Sequence, residues 1–202
     1  MGLKHQAASA RKWRAAIRQV KRHFPADLPP MFFLTDPVRV PDPVSVAERL
    51  PVGAGIIYRH FGADDRTRVA MHLSDICRRR GLNLLIAADP GLAKRVGACG
   101  VHWPEARLRG ARKWRGHFEI QTASAHSRRA IERAAQAGMD AALVSTVFAS
   151  NSSSANALMG AIGFRRLSLQ TRLPLYGLGG INANTASRIA ISGGLAAIEG
   201  LS

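Results

Sequence analysis

Two adjacent glycines, Gly179 and Gly180, close the apolar run Leu173-Pro174-Leu175-Tyr176-Gly177-Leu178 and precede Ile181-Asn182-Ala183-Asn184-Thr185-Ala186. A buried strand that breaks on bare backbone and restarts as a helix leaves N–H groups uncovered at a helix N-terminus, where they can hold a phosphate or carboxylate. The same pattern also serves as ordinary strand-to-helix punctuation, so the neighbouring residues must decide. Metal chemistry has less to build on. Cys77 and Cys99 sit in unrelated apolar contexts without CxxC or Cys/His ligand spacing, so buried reduced thiols are expected, in keeping with a cytoplasmic protein.

Bulk properties narrow the partner classes. With 202 residues and 47% hydrophobic content the chain can bury one sizeable core. A formal charge of +16 attracts polyanions and phosphorylated metabolites alike. The cations are spread along the chain from Lys4 onward, with few aromatic residues and no nucleic-acid motif among them, so nucleic acid is a partner with only weak support. No apolar run approaches the roughly 18 residues that a membrane span requires, and no membrane partner is expected.

The elements that must position any site are legible in the pattern. Residues 3–24 carry Trp13, Ile17, Val20 and Phe24 at helical spacing among seven cations, a basic amphipathic helix that the Pro25 to Pro30 stretch ends. The expected organisation is this helix and linker over 1–30 and one α/β domain over 31–202. From Met31 onward strands are expected at 31–35, 53–58, 82–87, 99–103, 118–123, 140–147, 173–178 and 195–198, with helices between them. The best helix starts at Asp64 or Asp65, buries Val69, Leu73 and Ile76 or Cys77, and closes on Arg78-Arg79-Arg80-Gly81. A polar loop is expected at Asn151 to Ser154 and another helix at Asn184 to Ile191. About eight strands, several apolar on both faces, fit a TIM (β/α)8 barrel. No eighth outer helix is expected after the last strand, and the N-terminal helix is expected to cover that flank.

Six motifs, in order and spacing, carry a resemblance: Phe33-Leu34-Thr35-Asp36, Gly97-Ala98-Cys99-Gly100-Val101-His102, Ala123-Ser124-Ala125-His126-Ser127, Ala137-Gly138-Met139-Asp140, Val147-Phe148 and Leu178-Gly179-Gly180-Ile181. Over roughly residues 31–200 the chain resembles the thiamine phosphate synthase family, which includes the TenI-like thiazole tautomerases. The resemblance implies a barrel with its site at the C-terminal strand ends, acting on a thiazole phosphate. It places the phosphate at Gly179 and Gly180 and on the backbone after the last strand, where Glu199 and Gly200 stand in place of the usual serine. A carboxylate there would repel phosphate, so Glu199 points away, is neutralised by an arginine, or faces a different ligand.

The resemblance also shows what has changed. The synthase reaction joins hydroxymethylpyrimidine pyrophosphate to thiazole phosphate with magnesium, which needs oxygen ligands and cations around the leaving group. The family's metal-binding Asn-Asp pair aligns with Ala87-Ala88, its second aspartate with Arg107, and Asp89 lies one position late. The Gln-x-Arg-x-Lys stretch becomes Ile57-Tyr58-Arg59-His60-Phe61, and the loop lysine gives way to Ser150-Asn151-Ser152-Ser153. No metal or cofactor is therefore expected. His126 matches the tautomerase position that shuttles a proton, a role suited to imidazole near neutral pH; its other reading is a cap or rim partner. Ser124 is a contact for the ligand phosphate or a turn cap, and Arg59 clamps an anion or pairs with Glu199 across the barrel mouth. Glu199 could itself serve as a base were its pKa raised by burial. His102 and Trp103 read as packing. The functions in view are a metal-independent thiazole tautomerase, a thiamine phosphate synthase, and a non-catalytic ligand-binding or regulatory barrel, as a monomer or homodimer.

Overall fold

The computed structural model describes residues 2–150 and 158–200. Eight strands, β1 (Met31–Leu34), β2 (Gly55–Tyr58), β3 (Asn83–Ala87), β4 (Gly100–Trp103), β5 (Ile120–Ala125), β6 (Ala141–Val144), β7 (Leu175–Gly177) and β8 (Gly194–Ala197), form a closed barrel in sequence order. Every pairing is parallel, and β8 returns to β1 through Phe32↔Ala196. Such strands are covered on both faces, which explains their unbroken apolar runs.

Side-chain alternation splits those runs into two cores. Phe32, Leu34, Ile57, Leu85, Ile120, Leu143 and Tyr176 fill the barrel interior. Met31, Phe33, Ile56, Ile86, Val101 and Val144 face the outer helices. The Tyr176 hydroxyl, carried into the interior, donates to the Pro29 carbonyl at 2.7 Å, so this buried polar group has its partner.

The outer layer comprises α1 (Gly2–Val20), α2 (Pro43–Ala47), α3 (Arg66–Arg80), α4 (Pro90–Val96), α5 (Leu108–Ala111), α6 (Arg128–Gln136) and α7 (Gly160–Leu169). In α1, Trp13, Ala16, Ile17 and Val20 are buried within the outer core, against β8 and the short turn of 3-10 helix at Ala186–Arg188. The helix thus docks its apolar stripe on the flank beside the last strand.

Several local expectations need correction. Asn184 to Ile191 is no α-helix; only Ala186–Arg188 form one 3-10 turn. Thr185 explains the tight geometry, because its hydroxyl donates to the Gly180 carbonyl at 2.7 Å and accepts the Asn182 N–H at 2.9 Å, folding the chain back before a helix can start. Asp65 begins α3, but its side chain makes no capping bond; it pairs with exposed Arg68 instead. Ala70 and Ser74, rather than Val69, join Leu73, Ile76 and Cys77 on the buried face. The strand expected at 118–123 starts two residues later, at Ile120. The polar loop at Asn151 to Ser154 lies outside the described residues. Both cysteines are free thiols, and burial raises Cys77 to about 12 and Cys99 to about 11.

Candidate active site at the C-terminal barrel mouth

A cavity of about 530 Å³ opens at the C-terminal ends of the strands, where barrels of this type place their chemistry. Arg59, Ser124, His126, Gly179, Gly180, Glu199 and Gly200 all line it. Parallel strand order explains this: each residue stands at or just beyond the end of β2, β5, β7 or β8, so all of them converge on one rim.

The glycine corner leaves backbone donors uncommitted. Gly179 and Gly180 have φ of +93° and +64°, a left-handed backbone that glycine adopts without steric cost. Among the described residues the N–H groups of Gly179, Gly180 and Ile181 find no acceptor, whereas the Gly179 carbonyl accepts from Phe148 at 3.0 Å and so faces away. The donors therefore come from a turn, not from an α-helix N-terminus as the sequence pattern suggested.

Glu199 is exposed and, among the described residues, makes neither a hydrogen bond nor an ion pair. It does not cap the glycine corner. The pairing of Arg59 with Glu199 does not form either. Arg59 turns to Asp36, its Nη2 3.6 Å from the carboxylate, while its Nε donates to the Thr35 carbonyl at 2.9 Å. Strand register dictates this choice, because Leu34↔Ile57 pairing carries Asp36 alongside Arg59. Arg39 lies on the same carboxylate, with Nε and Nη2 at 3.1 and 2.8 Å. Burial alone would raise the Asp36 pKa, but hydrogen bonds from Arg39 and its charge hold it down at about 2. Two guanidinium groups thus share one carboxylate on this wall of the cavity, which leaves a local excess of positive charge for an anionic ligand.

His126 stands on the opposite wall. Its Nδ1 lies 3.1 Å from the Ser145 hydroxyl, and its backbone N–H donates to Glu105 at 3.3 Å. The capping role belongs to Ser127, whose hydroxyl accepts from the Ala130 N–H at the start of α6. A hydroxyl can donate to Nδ1 or accept from it, so Ser145 fixes the ring while permitting either tautomer.

His102 packs, as expected, and also hydrogen-bonds. It is buried inside the barrel, with Nδ1 2.9 Å from the Thr122 hydroxyl and Nε2 2.9 Å from that of Ser124. A serine and an imidazole at this distance have the geometry of a nucleophile and its base. Burial, helped by the Arg59 charge, lowers the His102 pKa to about 3 and favours the neutral ring. The contact restrains the hydroxyl of Ser124, a residue that lines the cavity. Sequence reasoning missed this contact and Ser145, although alternation along β5 already put Thr122 and Ser124 on one face.

The whole of this site lies within a recognisable lineage. The profile of the thiamine monophosphate synthase family matches residues 35–201. The chain belongs to that family. A thiamine-phosphate synthase of Bacillus velezensis is 30% identical over 163 residues, covering 75% of this chain and 72% of its own. One of Thiobacillus denitrificans is 32% identical over 145 residues, 69% of each chain. Among solved structures, thiamine phosphate pyrophosphorylase from Pyrococcus furiosus superposes with a TM-score of 0.71 at 23% identity, over 83% of this chain and 84% of that one, a likeness of fold.

The residues that the resemblance aligns with the family's metal ligands do not fit magnesium. Ala87, Ala88 and Arg107 offer no carboxylate. Asp89 is already committed, accepting the Leu92 N–H at 2.8 Å as the cap of α4 and the Arg66 guanidinium at 2.8 Å. Among the described residues no group of three or more His, Cys, Asp or Glu side chains could hold a metal ion. In addition, no helix among the described residues is long and apolar enough to cross a membrane.

Proposed function

We propose that this family member binds a phosphorylated, thiazole-like ligand at the glycine corner and moves a proton on it without a metal, as a thiazole tautomerase. The observation that carries the reading is one cavity lined both by His126 and by Gly179 and Gly180, whose amides find no acceptor among the described residues. His126 would take a proton from one ligand position and return it to another, leaving composition and oxidation level unchanged. The positions of Asp89 and Arg66 count against departure of a metal-bound pyrophosphate, which draws much of its stabilisation from charge. The second reading, a synthase joining hydroxymethylpyrimidine pyrophosphate to thiazole phosphate, is favoured by the names of the relatives.

The deciding experiment follows thiazole carboxylate phosphate by NMR in the presence of EDTA. Conversion faster than the spontaneous rate is expected. Ligand binding without acceleration would leave a non-catalytic barrel, and magnesium-dependent coupling with the pyrimidine pyrophosphate would establish the synthase reading instead.

Glu199 provides a second check. An exposed carboxylate on the rim opposes an incoming phosphate weakly, so Glu199→Gln should tighten inorganic phosphate binding about two- to fivefold in a titration at low ionic strength. Loss of turnover in that variant would assign Glu199 to the chemistry.

A further inference from the structure

The N-terminal helix reaches the site through two consecutive side chains. The Trp13 indole N–H donates to the Gly200 carbonyl at 2.7 Å, just beyond β8, and Lys12 Nζ donates to Asn184 Oδ1 at 2.7 Å, in the loop after β7. Both contacts continue inward. Asn184 donates its N–H to Asn182 Oδ1 at 2.9 Å, and Asn182 lies against Gly200, where a Cβ would sit 3.3 Å from its own. Asn182 in turn donates its N–H to Thr185, whose hydroxyl holds the Gly180 carbonyl. One helix therefore grips, at adjacent residues, the loop after β7 that carries the uncommitted amides and the loop after β8 that lines the same cavity.

We infer that α1 is an outer clamp on the anion pocket, with Trp13 and Lys12 as positioning residues that set the loops after β7 and β8 at the spacing an anion needs. This rests on the anion-site reading above. The contacts exceed what burial of the apolar stripe requires, because Ile17 and Val20 dock without any polar tie. Gly200 is exposed, so water can replace the indole as partner to its carbonyl. Loss of the tie therefore releases the loop more than it unfolds the protein.

The test uses the full chain and inorganic phosphate as probe. Trp13→Phe keeps the ring and removes the donor; it should weaken phosphate binding about three- to tenfold while leaving Tm within a few degrees of wild type. Hydrogen exchange at Asn182 and Asn184, whose N–H groups are hydrogen-bonded within the gripped loop, should accelerate in that variant, and in the wild type the Trp13 indole N–H resonance should shift as phosphate is added. Lys12→Met should act in the same direction, Lys12→Arg should retain wild-type affinity, and Arg14→Ala on the exposed face of the helix should change nothing. Wild-type binding with unaltered affinity in both Trp13→Phe and Lys12→Met would overturn the clamp and leave the anion site standing. Absence of saturable binding by the wild type would overturn both.

Discussion

His126→Asn should lower turnover of thiazole carboxylate phosphate by about 100- to 10,000-fold, the range over which positioned proton transfer contributes to catalysis, while ligand affinity stays near wild type. The separation of the two quantities is the point. Asparagine keeps a polar group of similar reach on the rim but cannot exchange protons, so binding that survives with turnover lost isolates the imidazole's contribution. Ser145 makes the test sharper. Its hydroxyl meets Nδ1 at 3.1 Å, leaving Nε2 as the nitrogen available to a ligand. A carboxylate partner would pin the proton on Nδ1, whereas a hydroxyl lets the proton sit on either nitrogen as the ring alternates between base and acid. Ser145→Ala should accordingly slow turnover much less than His126→Asn. Equal turnover in wild type and His126→Asn would end the tautomerase reading.

Why some of this was legible in the sequence and some not comes down to range. Strands such as Met31–Leu34 and Asn83–Ala87 announce themselves because both faces are covered, and a parallel barrel brings residues at strand ends to one rim whatever the loops do. That logic alone gathers Arg59, Ser124, His126 and Gly179. What it leaves open is which side chain meets which across the rim. Arg59 has Asp36 on the adjacent strand end and Glu199 farther round, and only the β1–β2 register selects between them. His102 meets Ser124 because β4 pairs with β5 at His102↔Thr122 and both side chains point inward, which makes a packing residue a hydrogen-bonding one as well. The misread helix at Asn184 to Ile191 is a local contest that propensity could not settle: one threonine hydroxyl satisfies two backbone groups at the turn, and α1 occupies the flank that a longer helix would cover.

The same turn bears the other large effect. Gly180→Ala should both destabilise the protein and cut phosphate affinity by at least about tenfold, since a moved donor forfeits its charge-assisted bond. The backbone at Gly180 has φ of +64°, where an L-residue costs about 1–2 kcal/mol. Sterics add to this. A Cβ there would run into the Ala149 carbonyl oxygen and lie 2.7 Å from Phe148 Cβ and 2.9 Å from the Phe148 carbonyl carbon. These atoms belong to backbone and its first side-chain carbon, so no rotamer change relieves them, and Arg188 stacked over the Phe148 ring at 4.6 Å restrains that segment further. The corner must therefore shift away from residues 148–149, taking with it the uncommitted N–H groups of residues that line the cavity. Thermal unfolding would read the first loss and phosphate titration well below Tm the second. A folded Gly180→Ala protein that binds phosphate as tightly as wild type would show that the anion is held elsewhere, and the double glycine would then be a packing device between the β6 and β7 loops.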